Sequence, residues 1–141
     1  MGQLSLLEMP LNSLLLDRVV TTKPYETMFN WGMEQAPQEA CGLVVMPGFA
    51  QVTMDHLVVL RMRNISSKPD TSYKLDIQAL METVFAGMSR QQFSQSVMVW
   101  HTHPGGHIGP SPQDLEVLPK RIPHCVVTLP KGEVITYERY Q

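Results

Sequence analysis

Cysteine is scarce in this chain of 141 residues: there are two, Cys41 and Cys125. Each lies in an apolar, strand-like run, so both read as buried free thiols, and the pair is weak evidence for a disulfide. Neither has C-x-x-C spacing, which weakens a zinc deaminase reading that needs H-x-E with P-C-x-x-C. Charge is sparse as well. Charged residues make up 17% of the chain, the net charge is −2 and no basic cluster exists, so there is no electrostatic case for nucleic acid. No apolar run is long enough to span a bilayer, so no membrane partner is expected. The leucine-rich start carries Glu8, Pro10 and Asp17 and has no basic n-region. A signal peptide is therefore not expected, and a cytoplasmic protein is the default. Asn64-Ile65-Ser66 spells a glycosylation acceptor that only a secreted chain would use. Internal repeats and low-complexity tracts are missing.

What is present is a hydrophobic content of 43%, enough for one domain with a sizeable core. The chemistry is concentrated in one stretch. His101-Thr102-His103-Pro104 is followed by six residues and then by Ser111-Pro112-Gln113-Asp114. Two imidazoles and a carboxylate are a catalytic zinc ligand set that leaves a fourth position for water. Ser96-Val97-Met98-Val99-Trp100 reads as a buried strand. Side chains two apart on a strand share a face, so His101 and His103 point the same way, about 6.6 Å apart along the backbone. Pro104 ends the strand, and residues 105–110 read as a loop. Ser111 looks like a helix N-cap with Pro112 at the first helical position and Asp114 at the third. An isolated S-P-Q-D is more often a plain helix start than a metal site. The preceding H-x-H tips the balance. Upstream, Glu39 stands at the entrance of a core strand, where a carboxylate can do general acid–base work on a water at the metal. The competing reading is a surface glutamate before a strand.

Residues 1–22 read as an N-terminal extension to a domain spanning residues 23–141, with packing on that domain favoured over docking on a partner. A helix is predicted over about 24–35, with Pro24 near its start and Tyr25, Met28, Phe29 and Gly32 at helical spacing. Strands are predicted at about 41–46 and 51–63, joined by a Pro47-Gly48 turn. Residues 66–72 are a loop. A short strand at 72–75 leads to a long helix over about 76–92, with Asp76 as its N-cap and Ile77, Leu80, Met81, Val84, Phe85 and Met88 on one face. The metal strand, its loop and a short helix to about 119 follow. Strands at 124–129 and 134–138 flank a Pro130-Lys131-Gly132-Glu133 turn. The order is α-β-β-β-α-β-α-β-β, a mixed sheet flanked by helices. His56 has no chelating neighbour, and His124 carries no ligand spacing. His107, in the glycine-rich loop, reads as a solvent-exposed histidine because three ligands are already supplied.

At these residues the chain resembles the JAB/MPN metallopeptidase family with its JAMM motif, a distant Glu followed by H-x-H-P, six residues and S-x-x-D. Glu39, His101, His103, Pro104, Ser111 and Asp114 match every position. Pro37-Gln38-Glu39-Ala40-Cys41-Gly42-Leu43, Arg63-Asn64-Ile65-Ser66 and Tyr73-Lys74-Leu75-Asp76 resemble bacterial and phage members too, and the likeness runs from about residue 24 to the end. It implies an α/β fold with a mixed, largely antiparallel curved sheet flanked by helices, of the cytidine-deaminase-like kind. It implies that His101, His103 and Asp114 ligate one zinc ion, that Glu39 acts on the bound water, and that Ser111 donates to the tetrahedral oxyanion. The implied activity is that of a zinc-dependent metallopeptidase cutting a peptide or isopeptide bond. The chain has little room for the long insertions with which ubiquitin-directed relatives grip ubiquitin. Small bacterial and phage-tail members look closest, which implies tail or cell-wall peptides as substrates and host cytoplasm or virion as the location. Release of a carrier protein or amino acid from a ubiquitin-like tail is a second enzymatic option. The alternative from another class is a structural or assembly module of a phage tail or other complex, with the fold as a scaffold and tail proteins or a second copy of the chain as partners.

Overall fold

One six-stranded sheet organises the chain. The computed structural model describes residues 11–46, 56–82, 85–117 and 122–138. The strands are β1 (Leu15–Thr21), β2 (Cys41–Val45), β3 (Leu57–Met62), β4 (Val97–His103), β5 (His124–Thr128) and β6 (Val134–Tyr137). Their spatial order is β1-β3-β2-β4-β5-β6. The β4–β5 pair is parallel, and the other four pairs are antiparallel. Four helices accompany them: α1 (Pro24–Gln35), α2 (Ile77–Glu82), α3 (Arg90–Ser96) and α4 (Pro112–Val117). This is the mixed, largely antiparallel architecture that the sequence implies.

Strand β2 is buried along its whole length, which explains its unbroken run of small and apolar residues. Its alternation splits the core in two. Cys41, Leu43 and Val45 join Tyr73, Leu80, Phe85 and Phe93 on one face. Val44 joins Met28 and Trp31 of α1 on the other. Strand β4 follows the same parity, with Val97 and Val99 in the first cluster and Trp100 in the second. His101 and His103 therefore continue the first face. Helices α2 and α3 are too short to persist alone. They are held by Leu80 and Phe93, both fully buried, at about 1.5–3 kcal/mol for each such side chain.

Within the stretch read as an extension, residues 15–21 form β1, an edge strand paired with β3 from Leu15 to Thr21. Two expectations need correction. The single helix over 76–92 is two helices. Gly87 adopts a left-handed φ of 84°, and Ser89 starts α3 with a complete capping box to Gln92, so one helix ends and a second begins. Residues 72–75 form no strand. Lys74 N donates to the Asn64 side chain at 3.1 Å, where a ladder needs a carbonyl. The predicted Pro47-Gly48 turn and the strand section at 51–55 lie outside the described residues. No described helix is long and apolar enough to cross a membrane.

Candidate metal centre

The register of the sheet assembles the site. Cys41 pairs with His101 across β2 and β4. Two residues further on, at the β2 entrance and the β4 exit, Glu39 and His103 reach the same face. Thr102, between the two histidines, points to the opposite face and secures this junction. Its amide donates to Ala40 O at 3.0 Å, and its Oγ1 accepts from Ala40 N at 2.9 Å. Asp114 arrives from the start of α4. Ser111 N donates to Asp114 Oδ2 at 2.9 Å, and Ser111 Oγ accepts from Asp114 N at 3.0 Å. That reciprocal pair fixes the carboxylate in the first turn.

Glu39, His101, His103 and Asp114 offer one ligand atom each, and the four atoms lie within 4.8 Å of one another. All four residues are buried. His101 Nε2 and His103 Nε2 are 3.1 Å apart. Asp114 Oδ2 lies 3.1 Å from the first and 3.0 Å from the second. Two atoms bound to one tetrahedral zinc at ordinary lengths stand about 3.3 Å apart, so the observed triangle has the size of a face of that polyhedron. His103 Nδ1 faces the His107 carbonyl at 3.0 Å. A carbonyl only accepts, so Nδ1 carries the hydrogen and a neutral His103 presents its Nε2 lone pair inward. The Tyr73 ring stacks on His101 at 4.1 Å and 19°. Glu39 Oε1 is buried without a hydrogen-bond partner among the described residues. The donor set of two imidazoles and two carboxylates fits a small divalent cation.

Without metal the charges rearrange. Burial pushes the Glu39 carboxyl up to about 8, with His103 opposing and Asp114 adding to the rise. Burial lowers the His101 imidazole, against the pull of Asp114. His103 is raised, since its bonds to Asp114 and to the His107 carbonyl outweigh burial. Burial alone raises Asp114, but the bonds from both histidines hold it well below the usual carboxylate range.

The structure thus gathers Glu39, His101, His103 and Asp114, with Ser111 beside them. His107 is exposed and contributes its backbone carbonyl, which also accepts from Thr128 Oγ1 at 3.2 Å. His56 is exposed, and His124 is buried against Tyr137 with ring centres 5.4 Å apart; neither belongs to the cluster. Sequence reasoning missed the support given by Tyr73 and Thr102. For Thr102 a signal was available, because the middle residue of H-x-H must face the other side of the strand.

A family model for prokaryotic homologs of the JAB domain matches residues 22–139, and the chain belongs to that family. The expected JAB/MPN membership is borne out. The fold is similar to the solution structure of a protein from Desulfitobacterium hafniense, with 18% identity over 84% of this chain and 88% of that one, at a TM-score of 0.55. A crystal structure of a JAB1/MPN domain protein from Archaeoglobus fulgidus is 20% identical over 86% of this chain and 97% of that one, at a TM-score of 0.44. No curated protein matches the sequence.

Proposed function

We propose that this chain is a zinc-dependent metallopeptidase that hydrolyses a peptide or isopeptide amide. The observation that carries the reading is the convergence of the four buried groups Glu39, His101, His103 and Asp114. Desolvating four titratable groups costs free energy that a purely structural module has no need to spend, and such clusters concentrate at functional sites.

His101, His103 and Asp114 would hold the ion. Zinc supplies Lewis acidity there, polarising a carbonyl and making water acidic near neutral pH. Glu39 acts as general base: its unpartnered Oε1 accepts a proton from the attacking water and returns it to the leaving amine. Ser111 Oγ accepts from Asp114 N, which leaves its own hydrogen free for the oxyanion that develops on the carbonyl oxygen. One hydroxyl can thus cap the helix and serve the reaction. A cavity of about 470 Å³ borders Asp114, walled by Ser66, Ser72, Tyr73, Leu75, Ile77 and Val99. A mixed polar and apolar cavity of this size suits a short peptide. A short tail or cell-wall peptide, the kind the family resemblance implies, is the proposed substrate.

Metal analysis and cleavage assays on the purified protein test this reading, with Glu39→Gln as the deciding variant. One zinc per chain and a loss of cleavage on that substitution are expected. Cleavage at the parental rate by Glu39→Gln would remove the assigned base.

A further inference from the structure

We infer that Asn64 is the positioning residue for Glu39, gripping the backbone of the base so that its carboxylate needs no tether of its own. This rests on the hydrolase reading above.

A general base must keep its lone pairs free for the proton it moves. Glu39 does so: Oε1 is buried and unpartnered among the described residues. Its aim must therefore come from the main chain. Yet Glu39 lies beyond the end of β2, where both ladders have stopped. The β2–β3 register ends at the Cys41–Met62 pair, and two residues further along Asn64 stands opposite Glu39. There a side chain takes over from the ladder. Asn64 Nδ2 donates to Glu39 O at 3.0 Å and to Ser72 O at 3.0 Å. Asn64 Oδ1 accepts from Ser66 N at 3.0 Å and from Lys74 N at 3.1 Å. Both donors and both lone pairs of the amide are in use. The other backbone group of Glu39 is held by the same segment, with Glu39 N donating to Pro69 O at 2.7 Å. Ser66 and Ser72 also wall the cavity beside Asp114. The segment that borders the substrate space thus fixes the base, and Asn64 is its knot.

The bonds from Ser66 N and Lys74 N and the bond to Ser72 O organise the loop, and the bond to Glu39 O alone reaches the base. Asn64→Asp keeps the two accepted bonds and removes the two donated ones. It keeps the oxygen that accepts from Ser66 N and Lys74 N, and it turns a second oxygen against the Glu39 and Ser72 carbonyls. The experiment compares Asn64→Asp, Glu39→Gln and the double variant in the full zinc-loaded chain, with zinc affinity measured by competition. For Asn64→Asp, kcat is expected to fall about 10–100-fold, while KM and zinc affinity stay within about threefold. In the Glu39→Gln background the same change is expected to have almost no further effect, because the two residues act as one unit. Multiplicative losses, or zinc affinity falling in step with kcat, overturn the inference. Where Asn64→Asp does not fold, Asn64→Gln is read the same way, since its extra methylene displaces the grip.

If the parent protein cleaves no peptide, the hydrolase reading fails separately, and amide hydrogen exchange decides the clamp. Faster exchange at the Glu39 amide in Asn64→Asp, with Leu43 unchanged, supports it. Equal protection of Glu39 in parent and variant sinks it.

Discussion

Trp100 reaches across β2 directly over Gly42. The two residues are partners in the β2–β4 ladder, and the indole Nε1 donates to Leu60 O of β3 at 3.1 Å. A Cβ on Gly42 would stand 1.8 Å from that carbonyl oxygen and 2.7 Å from the indole nitrogen. Trp100 also stacks on Trp31 of α1, with ring centres 6.0 Å apart. One bare backbone position thus lets a single side chain tie three strands and a helix together. Residue 101, the next along, is a proposed ligand.

Gly42→Ala should be strongly destabilising, because the added methyl meets backbone and cannot be relieved by a side-chain rotation. A loss of about 2–4 kcal/mol is expected, read as a drop in thermal midpoint of about 10 °C. Trp100→Phe removes one of the two obstacles, so the double variant should lose less than the two single losses added together. Simple additivity in thermal melts would show that the indole adds nothing to the backbone clash at this position.

The raised Glu39 carboxyl predicts a pH effect in metal-free protein. Its folded value of about 8 lies above its ordinary 4.5. Between those values the folded state binds more protons than the unfolded state, so the Glu39 contribution to stability declines as pH rises. It is fully present below about 4.5 and gone above about 8. Glu39→Gln removes that term. In chelator, the thermal midpoint of Glu39→Gln should therefore gain on the parent by about 3 °C or more between pH 5 and pH 8.5. A constant gap across that range contradicts the assignment.

Zinc should stabilise the parent and not its ligand variants. A ligand at a hundred times its Kd adds about 2.7 kcal/mol, or roughly 8 °C for a chain of this size. His101→Ala and Asp114→Ala are expected to abolish that shift in a melting experiment. His107→Ala is expected to retain it, because His107 acts through its backbone carbonyl. Loss of the shift in His107→Ala alone would move the ligand set into the loop.

Ser111→Ala separates capping from chemistry. Loss of the bond to Asp114 N should cost about 1 kcal/mol in stability. Loss of an oxyanion donor should slow turnover by about 10²–10³. Ser111→Thr keeps a hydroxyl and should recover most of both. A stability loss with turnover within a few-fold of the parent would make Ser111 a cap alone.

Much of the candidate site was legible because short-range rules govern it. The i, i+2 parity of a strand puts His101 and His103 on one face, and the helix-start pattern places Asp114 rigidly. The core strand at 41–45 was legible from its unbroken apolar run. The break after α2 could also have been read, since Gly87 and the Ser89-x-x-Gln92 box are both local signals; the apolar stripe over 77–88 hid it. Strand β1 was obscured in a different way. Leu14, Leu15 and Leu16 carry no strand alternation, and an edge strand is specified mainly by the partner it finds, here β3.

Sequence alone determined which groups are available for chemistry and which face of each element carries them, because side-chain direction follows from local backbone geometry. Local geometry did not bring Glu39 to residues more than sixty positions away, a meeting to which only the motif resemblance pointed, and nothing in the sequence showed that Asn64 would take over where the ladder ends. Those relationships depend on strand order and register. They are decided only when the two core clusters close on opposite faces of one sheet, since a shift of one residue would turn every one of these side chains away.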